Sequence, residues 1–411
     1  MFQSFAVSTR PEAARPRVAM LRATIRERGI DAFLLPRADM FQGEYVAACD
    51  AHLAWLTGFT GSAGFVLVTQ DRAALFVDGR YRVQARAEVD SGLFEVIDWP
   101  AIQAWDWLTG ALPGGGILGH DPWLTTVGEI ERLGKHLGPL GFGLLSCGDI
   151  VDACWQDRPP PPSGRMSLHP DDLAGESAAT KRARLAEGLR KAGQRAALIC
   201  SPDSLSWLLN IRGSDIPRVP VVQGYAILHD DARVDVFVRA GAAAPAQFGS
   251  EVLAALGPEV RVQPLPDGYE AAIRTLQGRV LADKTSLPQA VAELMAEGGT
   301  DFSWGRDPCL LPKARKNATE IVGARAAHLR DGAAMAEFLA WLDAQEPESL
   351  TEIDVVTRLE GFRQATGRLR DISFDTIAGS GPNGAIVHYR VTEATNRRLA
   401  HGEVLLVDSG G

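Results

Sequence analysis

Residues 55–85 read WLTGFTGSAGFVLVTQDRAALFVDGRYRVQA, and the fold turns on how these apolar runs alternate with turn residues. Residues 65–69 and 73–77 are short β-rich runs joined by Gln70-Asp71-Arg72, the pattern of a hairpin. Just upstream, 16–29 reads as a helix, with Pro16 suited to its first turn and Gly29 to its end. An apolar strand follows at 32–36. The plan then recurs: the strand 196–200 precedes SWLLNIRG at 206–213, and 225–238 is again strand, acidic turn, strand. Two similar α/β modules therefore stand in tandem.

Four prolines, Pro159 to Pro162, cannot continue a helix or a central strand and mark a boundary. A second boundary falls near 306–316, where Pro308 and Pro312 mix with Arg306, Lys313, Arg315 and Lys316. Asn317-Ala318-Thr319-Glu320 then fits a capping box. Ile321, Ala324, His328, Met335, Phe338, Leu339 and Leu342 recur at spacings that suit one face of a helix. Ser349-Leu350-Thr351-Glu352 caps a second helix to about Ala365, strands are expected at 373–378 and 385–389 around a Gly-rich turn, and a last strand at 403–407. These signals give three domains, 1–160, 161–311 and 312–411, the first two α/β and the third an α+β unit only half supplied.

With 411 residues, 46% hydrophobic and 23% charged, the chain has the composition of an ordinary globular protein. Its formal charge of -9 supplies no general field for nucleic acid or anionic lipid, so small, peptide or protein partners are expected. Five scattered cysteines without a C-x-x-C pair suit reduced thiols. No apolar stretch resembles a signal peptide or a membrane span, which places the expected location in the cytoplasm.

Three residues are candidates for chemistry. Asp408 ends the apolar run Val404 to Val407, where a carboxylate is costly unless hydrogen-bonded, paired or bound to metal, although Asp-Ser-Gly-Gly is also good turn sequence. His388, in GAIVHYR, would share a strand face with Ile386, as a hydrogen-bonded histidine or as a neutral imidazole near a metal-bound carbonyl. Arg80, in Asp78-Gly79-Arg80-Tyr81, is presented by a turn. Gly58, Gly61 and Gly64 are spaced wrongly for a phosphate loop and precede a strand, which excludes nucleotide binding of that kind. H-E-x-x-H, G-x-S-x-G and C-x-x-C are all absent, so zincin, α/β-hydrolase and thiol-redox chemistry lack support.

In their order along the chain, GEYVAACDAHLAWLTGFTGSAGF, VDGRYRVQA, WLLNIRGSDIPRVPVV, KARKNATEIVGARAAHLRDGAAMAEFLAWL, SFDTIAGSGPNGAIVHYR and LLVDSGG resemble the long, three-domain cytosolic form of aminopeptidase P, the Xaa-Pro aminopeptidase branch of the pita-bread metallopeptidases. The resemblance implies two creatinase-like N-terminal domains and a pita-bread catalytic domain holding two divalent ions, usually manganese, through two Asp, one His and two Glu. Asp408 matches the first Asp ligand, His388 the substrate-binding and catalytic His, and Arg80 a substrate-contacting Arg. The other four ligands would follow Gly411, so the chain is expected to be an incomplete catalytic domain and inactive as it stands. The implied substrates are peptides beginning Xaa-Pro, and a homodimer is left open. A non-catalytic peptide- or protein-binding module on the same fold is the alternative. Prolidase and creatinase share the catalytic fold but carry one N-terminal module, and the tandem repeat argues against them.

Overall fold

In the computed structural model, which describes residues 2–148, 150–239 and 244–411, the first helix starts earlier than expected. Pro11 opens a 3-10 turn, Pro11–Ala13, that leads into α1 (Ala14–Glu27). First-turn amides have no intrahelical acceptor, so a proline there forfeits nothing. Ala14, Val18, Leu21 and Ile25 form its buried stripe. Gly29 takes the left-handed conformation at φ 68°, and the Ile30 amide donates back to the Ile25 carbonyl at 2.9 Å.

The first sheet contains β1 (Ala32–Pro36), β2 (Phe65–Thr69), β3 (Ala73–Val77), β4 (Glu95–Asp98), β5 (Gly116–His120) and β6 (Phe142–Ser146), in the order β4-β3-β2-β1-β5-β6. The expected hairpin is present: Phe65 faces Phe76 across it, their rings stacked 4.5 Å apart. The second sheet contains β7 (Ala196–Ile199), β8 (Gly224–His229), β9 (Val234–Val238), β10 (Val260–Pro264), β11 (Arg279–Ala282) and β12 (Asp301–Trp304). Its order, β10-β9-β8-β7-β11-β12, is the same. In both sheets three consecutive strands, β3-β2-β1 and β9-β8-β7, pair antiparallel and the remaining pairs are parallel. The tandem signal in the sequence is thus a duplicated topology.

Helices α2 (Ala104–Ala111) and α3 (Val127–Leu137) of the first module match α4 (Asp267–Thr275) and α5 (Gln289–Glu297) of the second. The modules meet through equivalent segments that exchange backbone hydrogen bonds. Val127 donates to the Leu287 carbonyl at 3.0 Å, and Gln289 donates to that of Thr125 at 2.8 Å. A buried charge cluster also spans them: Asp50, 2% exposed, pairs with Arg158 at 3.2 Å and with Arg239 of β9's trailing end.

In the third segment, α6 (Ala318–Asp343) begins with the expected capping box, Asn317 accepting from the Glu320 amide at 3.0 Å. Only its later part is covered. Ala334 and Phe338 are buried against α7 (Glu352–Ala365), whereas Ile321, His328 and Leu339 of the expected face are exposed. The cap of α7 also differs from expectation: Thr351 is the N-cap and Asp354 completes the box, while Glu352 points inward and is fully buried. β13 (Ile377–Ser380) pairs antiparallel with β14 (Leu405–Asp408), Ile377 opposite Asp408. The expected strand at 385–389 does not form. A 3-10 turn, Gly381–Ala385, leads into a second turn in which the Tyr389 amide donates to the Ile386 carbonyl, and His388 adopts φ 58°. All five cysteines are unpaired. No helix among the described residues is long and apolar enough to cross a membrane.

Candidate active site

Glu352 explains why 385–389 turns instead of extending. Its carboxylate accepts from the Ser380 amide at 2.8 Å, from the Asn383 side-chain amide at 3.0 and 3.1 Å, and from the Tyr389 hydroxyl at 2.9 Å. A buried carboxylate needs that many donors, and meeting them draws Tyr389 into the core. Burial, reinforced by contact with the carboxylate, pushes the Tyr389 phenol well above its ordinary pKa. His388, next door, is thrown outward at a left-handed position. It therefore shares no strand face with Ile386, contrary to the alternation in the sequence.

His388 faces a cavity of about 750 Å3 at the junction of all three segments. Ser62 and Tyr81 come from the first module, Arg218 from the second, and Asp375, His388 and Asp408 from the third. The Tyr81 hydroxyl lies 2.8 Å from Nδ1 of His388 and 2.8 Å from the Ser62 hydroxyl, and also accepts from the Ser62 amide at 3.3 Å. Tyr81 itself is 1% exposed, edge-on to Phe59 at 5.5 Å. Gly61 makes that packing feasible, since a Cβ there would lie 2.2 Å from the Phe59 ring. The three glycines of this loop serve close packing and turning, in keeping with their unsuitability for phosphate.

Asp408 stands at the end of β14 with its side chain exposed to the cavity, without a hydrogen bond or ion pair among the described residues. The following turn is fixed by the Ser373 amide, which donates to the Gly410 carbonyl at 3.0 Å, and a Cβ on Gly410 would collide with the Ser373 hydroxyl at 1.9 Å. Asp375, in the same cavity lining, binds Arg218 at 2.6 Å and Arg390 at 2.8 Å. His388 and Asp408, 20 positions apart in sequence, are thus brought together. Arg80 is not among the cavity-lining residues. Its guanidinium grips Asp78 through two bonds, at 2.9 and 2.7 Å, which holds the Asp78 carboxyl below and the Arg80 guanidinium above their ordinary pKa values. It borders the site through Tyr81, over whose ring it lies at 5.1 Å. The residues that local sequence did not flag are Tyr81, Ser62, Glu352 and Arg218. Only Tyr81 carried a signal, as the neighbour of Arg80.

A dinuclear centre needs several ligands within reach of one another. The described residues contain no group of three or more His, Cys, Asp or Glu side chains placed to hold a metal ion. Asp408 by itself does not make such a centre.

Residues 17–154 and 157–320 each match a family model described as the Creatinase/Prolidase N-terminal domain, and 323–411 match metallopeptidase family M24. The duplicated sheets are therefore two creatinase-type N-terminal domains, and the segment behind them is of the M24 family type. A "Probable Xaa-Pro aminopeptidase P" of Coccidioides posadasii is 34% identical over 433 residues, covering 97% of this chain and 67% of the relative. The crystal structure of an X-prolyl aminopeptidase from Caenorhabditis elegans, a cytosolic enzyme with a di-nuclear active site, has a TM-score of 0.88 and 30% identity over 96% of this chain and 67% of that one. The chain belongs to the Xaa-Pro aminopeptidase P family. It spans 62% of the like-named protein of Neosartorya fischeri, to which it is 33% identical.

Proposed function

We propose that the protein removes the N-terminal residue from peptides with proline in second position, as a cytoplasmic metalloaminopeptidase using two divalent ions, manganese in the first instance. The observation that carries this reading is the convergence of His388 and Asp408 on one cavity, with Tyr81 buttressing the histidine. We assign the domains to 1–160, 161–311 and 312–411.

A peptide bond to proline has no N–H, so recognition falls to ring shape and to the carbonyl. If the Tyr81 hydroxyl donates across its 2.8 Å contact with Nδ1, His388 in its neutral form would carry its proton on Nε2, free to donate to a substrate carbonyl. Arg80, locked on Asp78 and outside the cavity lining, borders the site through Tyr81 and would reach only a part of the substrate that extends beyond that lining. Asp408 contributes one carboxylate toward metal, and no step is assigned to the ions themselves, because the described residues do not complete their ligand set.

The test uses the enzyme at the full length of its relatives. His388→Ala and Asp408→Asn should each lower cleavage of an Xaa-Pro peptide by about 100-fold or more, the scale of a lost acid-base group or metal ligand. Undiminished cleavage by either variant would remove that residue from the site.

A further inference from the structure

The duplication supplies an internal control for a second cavity. Identical strand pairing makes Phe65 equivalent to Tyr225, Asp78 to Arg239, and Trp99 to Leu265. These positions surround the space beyond the carboxyl ends of the parallel strands, where open α/β sheets commonly bind ligands. In the second module that space is filled. Tyr225 and Tyr269 are fully buried there, and Phe41, inserted from the first module, packs on Tyr225 with ring centroids 5.1 Å apart. In the first module the equivalent space is an open cavity of about 350 Å3, within the range of small-molecule sites.

Its walls are Phe65, Trp99 and Trp105. Phe65 meets Trp99 edge-on, and Trp105 is held by stacking on His136 at 3.9 Å. Two guanidinium groups also line it. Nη1 of Arg37 is buried without a partner, and Arg132 makes no hydrogen bond or ion pair among the described residues. The two carboxylates of the lining are already engaged: Asp78 by Arg80, and Glu129 by the Thr126 cap of α3. A buried cationic N–H without an acceptor is costly, so the unmet demand is for an anion beside flat apolar walls.

We propose that this crevice binds an aromatic carboxylate, the ring between Trp99 and Trp105 and the carboxylate on Arg37 and Arg132. The site is separate from the peptidase reading, although Arg37 and Ser62 form a wall common to both cavities. Free aromatic acids and the C-terminal aromatic residue of a peptide present the same chemistry.

Calorimetric titration of the 411-residue chain tests it, with indole-3-acetate and N-acetyltryptophan as probes and indole-3-acetamide as the neutral control. Saturable binding below about 1 mM is expected for at least one acid, with the amide at least ~10-fold weaker, as loss of a charge-assisted contact implies. Arg132→Gln, an exposed change that leaves the core intact, should weaken the acid by about 10-fold, and Trp105→Ala should do so independently. The tighter of the two acids identifies the source as free metabolite or peptide terminus. No binding by either acid, equal binding of acid and amide, or indifference to Arg132→Gln would overturn the assignment.

Discussion

The hydroxyl of Tyr81 lies 2.8 Å from Nδ1 of His388, joining the first module to the third across 307 positions of sequence. The contact fixes which nitrogen of the imidazole faces the cavity. Tyr81→Phe keeps the packing on Phe59 and removes only the oxygen. The expected results are a drop of roughly 10-fold in kcat/KM, carried by kcat, and a stability loss of about 1 kcal/mol. The ring-nitrogen NMR shifts of His388 should move from a single Nε2–H tautomer to a mixture, a readout that a purely structural role for Tyr81 would leave unchanged.

Glu352 holds the loop that presents His388, accepting from Ser380, Asn383 and Tyr389. Glu352→Gln replaces one acceptor oxygen by a donor and leaves buried partners unmet. A stability loss of about 1 to 3 kcal/mol in urea unfolding is expected, with faster amide exchange confined to 381–389. Wild-type protection of that segment would mean the loop is held by other contacts.

Asp50 faces two guanidinium groups from different modules, Arg158 and Arg239. Removing the carboxylate leaves Arg239 without its counter-charge while Arg158 keeps Asp152, so Asp50→Ala should cost about 3 kcal/mol. Differential scanning calorimetry should then show the first two modules melting separately. A single transition at the wild-type temperature would contradict a structural role for the cluster.

Burial raises Asp39 from the ordinary carboxylate value to about 6, with the Gly43 and Phe41 amides opposing the shift through bonds to the same oxygen. The folded state therefore binds a proton that the unfolded state has released between about pH 4 and 6. Stability from this group is full below pH 4 and is lost as pH rises through 6. Asp39→Asn preserves both amide bonds and puts a neutral group at the buried, unpartnered Oδ2. Relative to wild type it should gain roughly 2 to 3 kcal/mol between pH 4 and 7, measured by unfolding at each pH. A difference that stays constant with pH would refute the raised value.

The two sheets were legible because each strand is a short apolar run with a turn beside it, and the spacing recurs within the chain. The capping box at Asn317 was equally local, and the structure places it where the residues put it. The turn at His388 was not legible, because alternation in GAIVHYR is good strand sequence until a buried carboxylate 37 positions before Tyr389 demands its hydroxyl. For the same reason Glu352 read as part of a cap. Arg80 was flagged as the functional member of its turn, yet the geometry gives the direct contact with His388 to its neighbour Tyr81. Contacts between modules leave no mark on local periodicity, so the cavity became visible only with the packing.

Substrate discrimination is the most direct test of the proposed proline-selective, metal-dependent cavity. With the enzyme at the full length of its relatives, kcat/KM should be compared for matched Xaa-Pro and Xaa-Ala peptides, with manganese and after its removal by chelation. Cleavage of the Xaa-Pro peptide is expected to exceed that of Xaa-Ala by at least ~100-fold, the scale set by differential transition-state binding, and to be lost without metal. Equal cleavage of the two peptides, or undiminished cleavage without metal, would contradict it.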